Sequence, residues 1–148
     1  MKLRELLAQF VSAREKLEAF NIRDSGDYAE VLIAKALGGS RNVSGVKRGF
    51  DVLTAEHGRV EVRSRTLPRD GRRETRVRIE EKKWNHFNWL AGVIFEPSLA
   101  VHAAYLLPHD AAKDLASGAY PRFPLEVALA HPHCVNITAK LKEAEETL

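Results

Sequence analysis

The sequence predicts an α/β domain in which helices cover a sheet on both faces. Apolar residues recur at helical spacing near the N-terminus and over residues 26 to 37. Two β-rich runs joined by a glycine turn come next, and apolar runs of buried-strand length occupy 91 to 95 and 100 to 107. Helices that precede and interrupt strands in this way bury a shared sheet between layers, so a three-layer α/β architecture is expected. With 148 residues, 45% of them hydrophobic and 29% charged, the chain is expected to form one domain over 1–148 around a single core.

Leu3, Leu6, Leu7, Phe10, Val11, Arg14, Leu17 and Phe20 mark residues 2 to 20 as an amphipathic helix with one buried stripe. Asp24 or Ser25 caps a second helix over 26 to 37, which Gly38 and Gly39 terminate. Its surface is apolar nearly all round except at Glu30, as suits a covered helix; Ala34 at i+4 offers Glu30 no local partner. A polar loop over 40 to 48 leads to two strand-like runs, Phe50–Ala55 and Arg59–Arg65. Thr75 to Ile79 alternates Val77 and Ile79 with Arg76 and Arg78 and reads as a third strand. Residues 81 to 89 read as a short helix, with Trp84 and Phe87 packing it onto the sheet. Strands over Ala91–Phe95 and Ala100–Leu107 bring the expected sheet to about five strands. Pro108 and Asp110 open a helix to about residue 117, Pro121 and Pro124 break regularity, and Val135 to Ile137 precedes a charged helix from Thr138.

Several function classes are disfavoured. No apolar run is long enough to cross a bilayer, and the charged N-terminus lacks the apolar core of a secretory signal, so no membrane association is expected. One cysteine, Cys134, cannot form an internal disulfide, which suits a reducing, cytoplasmic location and a packing role. Net charge is only +3, but basic residues concentrate between Arg59 and Lys83 and outnumber the acidic ones there, which favours a polyanionic partner. His131-Pro132-His133-Cys134 lacks the paired spacing of a zinc site, and neither a phosphate-cradling glycine loop nor a nucleophile elbow is present.

The chemistry turns on whether Asp51 and Glu61 share a face, because two carboxylates must converge to hold Mg²⁺ or Mn²⁺. A two-residue His57-Gly58 turn would place them on opposite faces. A three-residue loop, Glu56 to Gly58, with Gly58 left-handed, pairs Asp51 with Arg63 and sets Asp51, Glu61 and Arg63 together. The second register also collects Val52, Val60 and Val62 on one apolar face, so it is the one expected.

Phe50-Asp51, a nine-residue gap, and Glu61-Val62-Arg63, following a helix that bears Glu30, resemble the PD-(D/E)XK nuclease superfamily. The resemblance extends to the order of elements, helix, three strands, helix, strand, over residues 26 to about 96, within a core reaching about 107. It implies a restriction-endonuclease-like core with an added N-terminal helix and C-terminal helices. It further implies Asp51 and Glu61 as ligands of Mg²⁺ or Mn²⁺, the Val62 carbonyl as a further oxygen, and Glu30 as an auxiliary acid. The expected activity is hydrolysis of phosphodiester bonds in nucleic acid, DNA in particular, with homodimers common in such nucleases. Arg63 stands where the pattern has lysine; it keeps its charge, so it can stabilise an oxyanion but cannot act as a neutral base. Lys82 or Lys83 offers a relocated lysine, and Arg65, Arg73, Arg76 and Arg78 offer phosphate contacts. Two other readings stay open at this level: an inactive member of the fold that binds nucleic acid or protein, and a solvated cross-strand ion cluster contributing under about 1 kcal/mol.

Overall fold

A computed structural model describes residues 1–43, 49–116 and 122–148. Helix α1 spans Leu3–Glu18 and α2 spans Ser25–Leu37; short strand β1 (Ser40–Arg41), β2 (Val52–Thr54) and long β3 (Gly58–Thr66) follow. Strand β4 (Val77–Arg78) and a 3₁₀ turn at Glu81–Lys83 precede β5 (Trp89–Phe95) and β6 (Val101–Pro108). The chain closes with α3 (His109–Leu115), β7 (Arg122–Phe123), α4 (Leu125–Ala130), β8 (Val135–Asn136) and α5 (Thr138–Glu146). None of the described helices is long and apolar enough to cross a membrane.

The central sheet is mixed, in the order β1-β2-β3-β5-β6-β8, and only the β3–β5 pair is parallel. Among the described residues the expected five strands are six, with a separate β4-β7 pair beside them. Ala29, Leu32 and Ile33 of α2 and Leu141 and Ala144 of α5 pack on one face, over Val60, Val62, Ala91, Val93 and Leu106. The opposite face buries Leu90, Ile94, Tyr105 and Leu107 under Val77, Ile79, Trp84, Phe87, Ala112 and Phe123. Side chains alternate along β3 and β5, and this sends the odd and even positions to different layers.

Local chemistry sets the ends of α2. The Asp24 carboxylate accepts from the Asp27 N–H at 2.9 Å, and Gly38 closes the helix in the left-handed conformation at φ +65°, as its sequence signals require. Elsewhere the expectations need correction. The buried stripe assigned to residues 2 to 20 is solvent-exposed along its whole length. The expected third strand over 75 to 79 shrinks to Val77–Arg78 and pairs with Arg122–Phe123 outside the main sheet. Its alternation is real, since Val77 and Ile79 are buried and Arg76 and Arg78 exposed, but alternation does not specify a partner. The third place in the antiparallel row belongs to Ser40–Arg41, too short to show any period.

The helix expected over 81 to 89 is a single 3₁₀ turn. Asn88 stops it: its N–H donates to the Arg59 carbonyl at 2.8 Å, its side-chain oxygen accepts from the Arg59 N–H at 2.9 Å, and its carbonyl accepts from His109 N–H at 2.9 Å. These cross-links take backbone groups a helix would need. Trp84 and Phe87 are buried as expected.

Candidate functional site

The β2–β3 hairpin carries the central carboxylates. Gly58 is left-handed at φ +66°, but the loop runs over 55–57 and Thr54 pairs with Gly58, two residues off the expected register. The Thr54 hydroxyl accepts from the His57 N–H at 2.8 Å and closes the turn one residue earlier than glycine alone would. A shift of two preserves which face each side chain takes. One step beyond the Val52–Val60 pair lie Asp51 and Glu61, so Asp51 faces Glu61 rather than Arg63. There the ladder opens: Asp51 N–H donates to the Val60 carbonyl at 3.0 Å, and the Asp51 carboxylate accepts from the Val62 N–H at 2.8 Å. That charge-assisted bond holds the carboxylate against β3.

Glu61 is 1% exposed, and no donor among the described residues reaches either of its oxygens. Burial raises its pKa, and the neighbouring Asp51 carboxyl raises it further, by a hydrogen bond that favours the protonated form and by its negative charge; Lys83 and Arg63 pull the other way. Two carboxyl groups brought together in a dry site can share a proton or share a cation. Lys83 Nζ stands 3.9 Å from Glu61, whereas Lys82 turns to Glu80 at 3.4 Å. Of the two lysines, only Lys83 is directed to the carboxylates.

Asp51, Glu61, Val62, Arg63 and Lys83 line a cavity of about 260 Å³ that also touches Asp24, Asp27 and Glu30. Asp51 and Lys83 are shared with an adjoining cavity of about 510 Å³, formed with Asn42, Gly49, Phe50, Lys82 and His86. Asp51 and Lys83 thus stand between the two cavities of one cleft region. Gly49, at φ +86°, has no room for a side chain: a Cβ there would fall 2.0 Å from that of His86.

Arg41 was not legible as a site residue, because it lies in the segment read as a polar loop. Its guanidinium donates to the Glu30 carboxylate at 3.2 and 3.3 Å, to Asp27 at 3.3 Å and to the Asn21 carbonyl at 3.1 Å. Glu30 thus has a partner from β1 rather than from its own helix. Its pKa is still raised to about 7, first by burial and then by Asp51, against the lowering effect of Arg41. Asp27, one turn before Glu30, was also missed, although the i, i+3 spacing places it on the same helix face. We expect Arg41→Met to destabilise the fold by about 1–3 kcal/mol, by leaving two half-buried carboxylates without their cation. A raised carboxylate contributes stability that is full below its ordinary value of 4.5 and lost as pH rises through the folded value near 7. Removing Arg41 raises Glu30 further, so urea unfolding should show a larger loss at pH 8 than at pH 5, and an equal loss would refute the coupling.

The residues expected to contact nucleic acid divide into two groups. Arg76 donates to Glu74 at 2.6 and 2.8 Å, and Lys82 pairs with Glu80 while lining the cleft. Arg65, Arg73 and Arg78 are exposed; the Glu74 carboxyl is held low first by its hydrogen bonds from Arg76, with a smaller contribution from the charge of Arg65. Residues 44–48, part of the polar loop expected over 40 to 48, lie outside the described residues.

Fold and site together define a mixed α/β domain whose cleft holds one buried and one backbone-anchored carboxylate beside a lysine. No protein-family model matches the chain, and no curated protein is similar to it.

Proposed function

We propose that this chain is a Mg²⁺- or Mn²⁺-dependent nuclease of the PD-(D/E)XK type that hydrolyses phosphodiester bonds of DNA in the cytoplasm. The observation that carries the proposal is the buried Glu61 carboxyl, without a hydrogen-bond donor, set against Asp51 in a cleft walled by Lys83 and Arg63. The order α2, antiparallel β1-β2-β3, 3₁₀ turn, parallel β5 supports the family reading, with Ser40–Arg41 in the place first expected for Thr75–Ile79.

The residues fit a hard divalent cation. Among the described residues no group of three or more His, Cys, Asp or Glu side chains is arranged to hold a metal. Asp51 and Glu61 would hold it as a pair, with the Val62 carbonyl available, and Mg²⁺ commonly keeps several waters and one or two carboxylates. When bound, the ion supplies charge stabilisation at the phosphoryl oxygen and a lower pKa for water. Lys83 orients the attacking water and moves its proton, and Arg63 offsets charge on the phosphate. Water adds to phosphorus as its proton passes to the neutral form of Lys83, the P–O bond to the leaving sugar breaks, and the alcohol leaves with a proton taken from solvent. Arg65, Arg73 and Arg78 hold the backbone, and Lys82 lies at the cleft wall.

Supercoiled plasmid incubated with the chain and Mn²⁺ is expected to be nicked. EDTA and Asp51→Ala should each abolish the product, the substitution by about 10³-fold or more. Salt-sensitive DNA association by the wild type with no product in either metal would overturn the hydrolase reading and leave a binding module.

A further inference from the structure

All of α1 is exposed, including Leu3 at 71%, Phe10 at 59% and Phe20, in the turn that follows it, at 72%. Leu3, Leu6, Phe10, Ala13, Leu17 and Phe20 alternate spacings of three and four, which is the a/d seam of a heptad. Sixteen residues is near the length at which a lone helix is marginal in water, so this stripe calls for cover. The polar side narrows the kind of cover. Lys2, Arg4, Arg14 and Lys16 are mixed with Glu5, Glu15 and Glu18, and Arg14 lies 3.9 Å from Glu18. Such a face suits water outside a helix pair rather than an anionic membrane, which favours a uniformly basic face.

We propose that the occupant is a second copy of this chain, joined through an antiparallel α1–α1 coiled coil. The seam is symmetric about a point between Val11 and Ser12. In the antiparallel arrangement Leu3 meets the second copy's Phe20, Leu6 meets Leu17, and Phe10 meets Ala13. The Phe10 ring then faces the Ala13 methyl group and the Phe20 ring faces Leu3, so no layer holds two phenyl rings. A parallel pair would set Phe10 against Phe10 and Ala13 against Ala13, one layer overfilled and one empty. Antiparallel packing also brings Lys2 and Arg4 to the end of the partner helix where Glu15 and Glu18 balance Arg14 and Lys16, so that the negative pole of its macrodipole favours them. The two-fold interface is isologous and closes at a dimer. A seam about 24 Å long is short, so dissociation on the order of micromolar is expected.

Sedimentation equilibrium of the full chain across the micromolar range should therefore show a monomer–dimer transition. The double variant Leu6→Glu, Leu17→Glu should sediment as monomer with an unchanged melting temperature at high dilution, because the substituted side chains touch no core. Orientation is read in a Cys134→Ser background by mixing a Leu6→Cys chain with a Leu17→Cys chain and oxidising, which should yield the mixed disulfide. A wild type that stays monomeric, a double variant that still dimerises, or disulfides joining Leu6→Cys chains to each other in preference to the mixed pair would overturn the proposal. Should the double variant fail to fold, wild-type sedimentation and the cross-link decide alone.

Discussion

Glu61→Gln is expected to stabilise the metal-free protein above neutral pH and to abolish its response to Mn²⁺. The buried carboxyl has a raised pKa, so the folded state holds a proton that the unfolded chain has released above its ordinary value of 4.5. Stability from this group is full below that pH and falls by roughly 1.4 kcal/mol per unit until the folded value is reached. Glutamine keeps the shape and carries no proton to lose, so the slope disappears. At pH 8 the variant should exceed the metal-free wild type by about 1–3 kcal/mol, the gain moderated by the loss of a partner for Lys83. On the proposed metal-site reading a cation displaces the shared proton in the wild type, so Mn²⁺ is expected to bind more tightly as pH rises and to add about 2.7 kcal/mol at about 100 times its Kd. Melting curves at pH 5.5 and 8, with and without Mn²⁺, check both halves. A Glu61→Gln protein that is less stable at both pH values and still responds to Mn²⁺ would make Glu61 a packing residue and remove the metal site.

Lys83→Ala is expected to lower the cleavage rate by about 10²–10⁴-fold with little change in DNA affinity. The reason is placement: Lys83 Nζ lies 3.9 Å from Glu61, while its neighbour Lys82 is held by Glu80 at the outer wall. Lys82→Ala should behave in the opposite sense, leaving the rate nearly intact and weakening association, with a salt slope reduced by about one. Lys83→Arg separates the two ways a lysine can act. Arginine keeps the charge but cannot give up its proton, so partial activity in this variant marks an electrostatic role and full loss marks proton transfer. Single-turnover cleavage and binding measured at the same salt concentration distinguish these results. Loss of rate in Lys82→Ala alone would reassign the lysine.

What could be read in advance follows from how each signal is encoded. The hairpin's acidic face was legible because three valines and two carboxylates alternate about a glycine turn, and parity survives an error of two in register. The register itself was not, since the closing bond comes from the Thr54 hydroxyl, which competes with the backbone in a way no period reveals. Arg41 escaped notice because a two-residue strand has no pattern, yet β1 is what delivers the cation to Glu30 and Asp27. The expected site lysine was narrowed to Lys82 or Lys83 by sequence, and a three-residue turn, not the expected helix, decided that Lys83 faces Glu61.

By itself the sequence determined the α/β class, the capped and glycine-stopped α2, the burial of Trp84 and Phe87, and the shared face of Asp51 and Glu61. These depend on contacts between residues close in the chain, or on side-chain alternation that persists over several positions. Tertiary structure alone decided that the stripe of α1 stays uncovered, that Val77–Arg78 leaves the main sheet, and that Glu61 is buried with no donor. Each of those depends on which distant segment arrives as a neighbour, and a hydrophobic or charged pattern states only that a partner is needed.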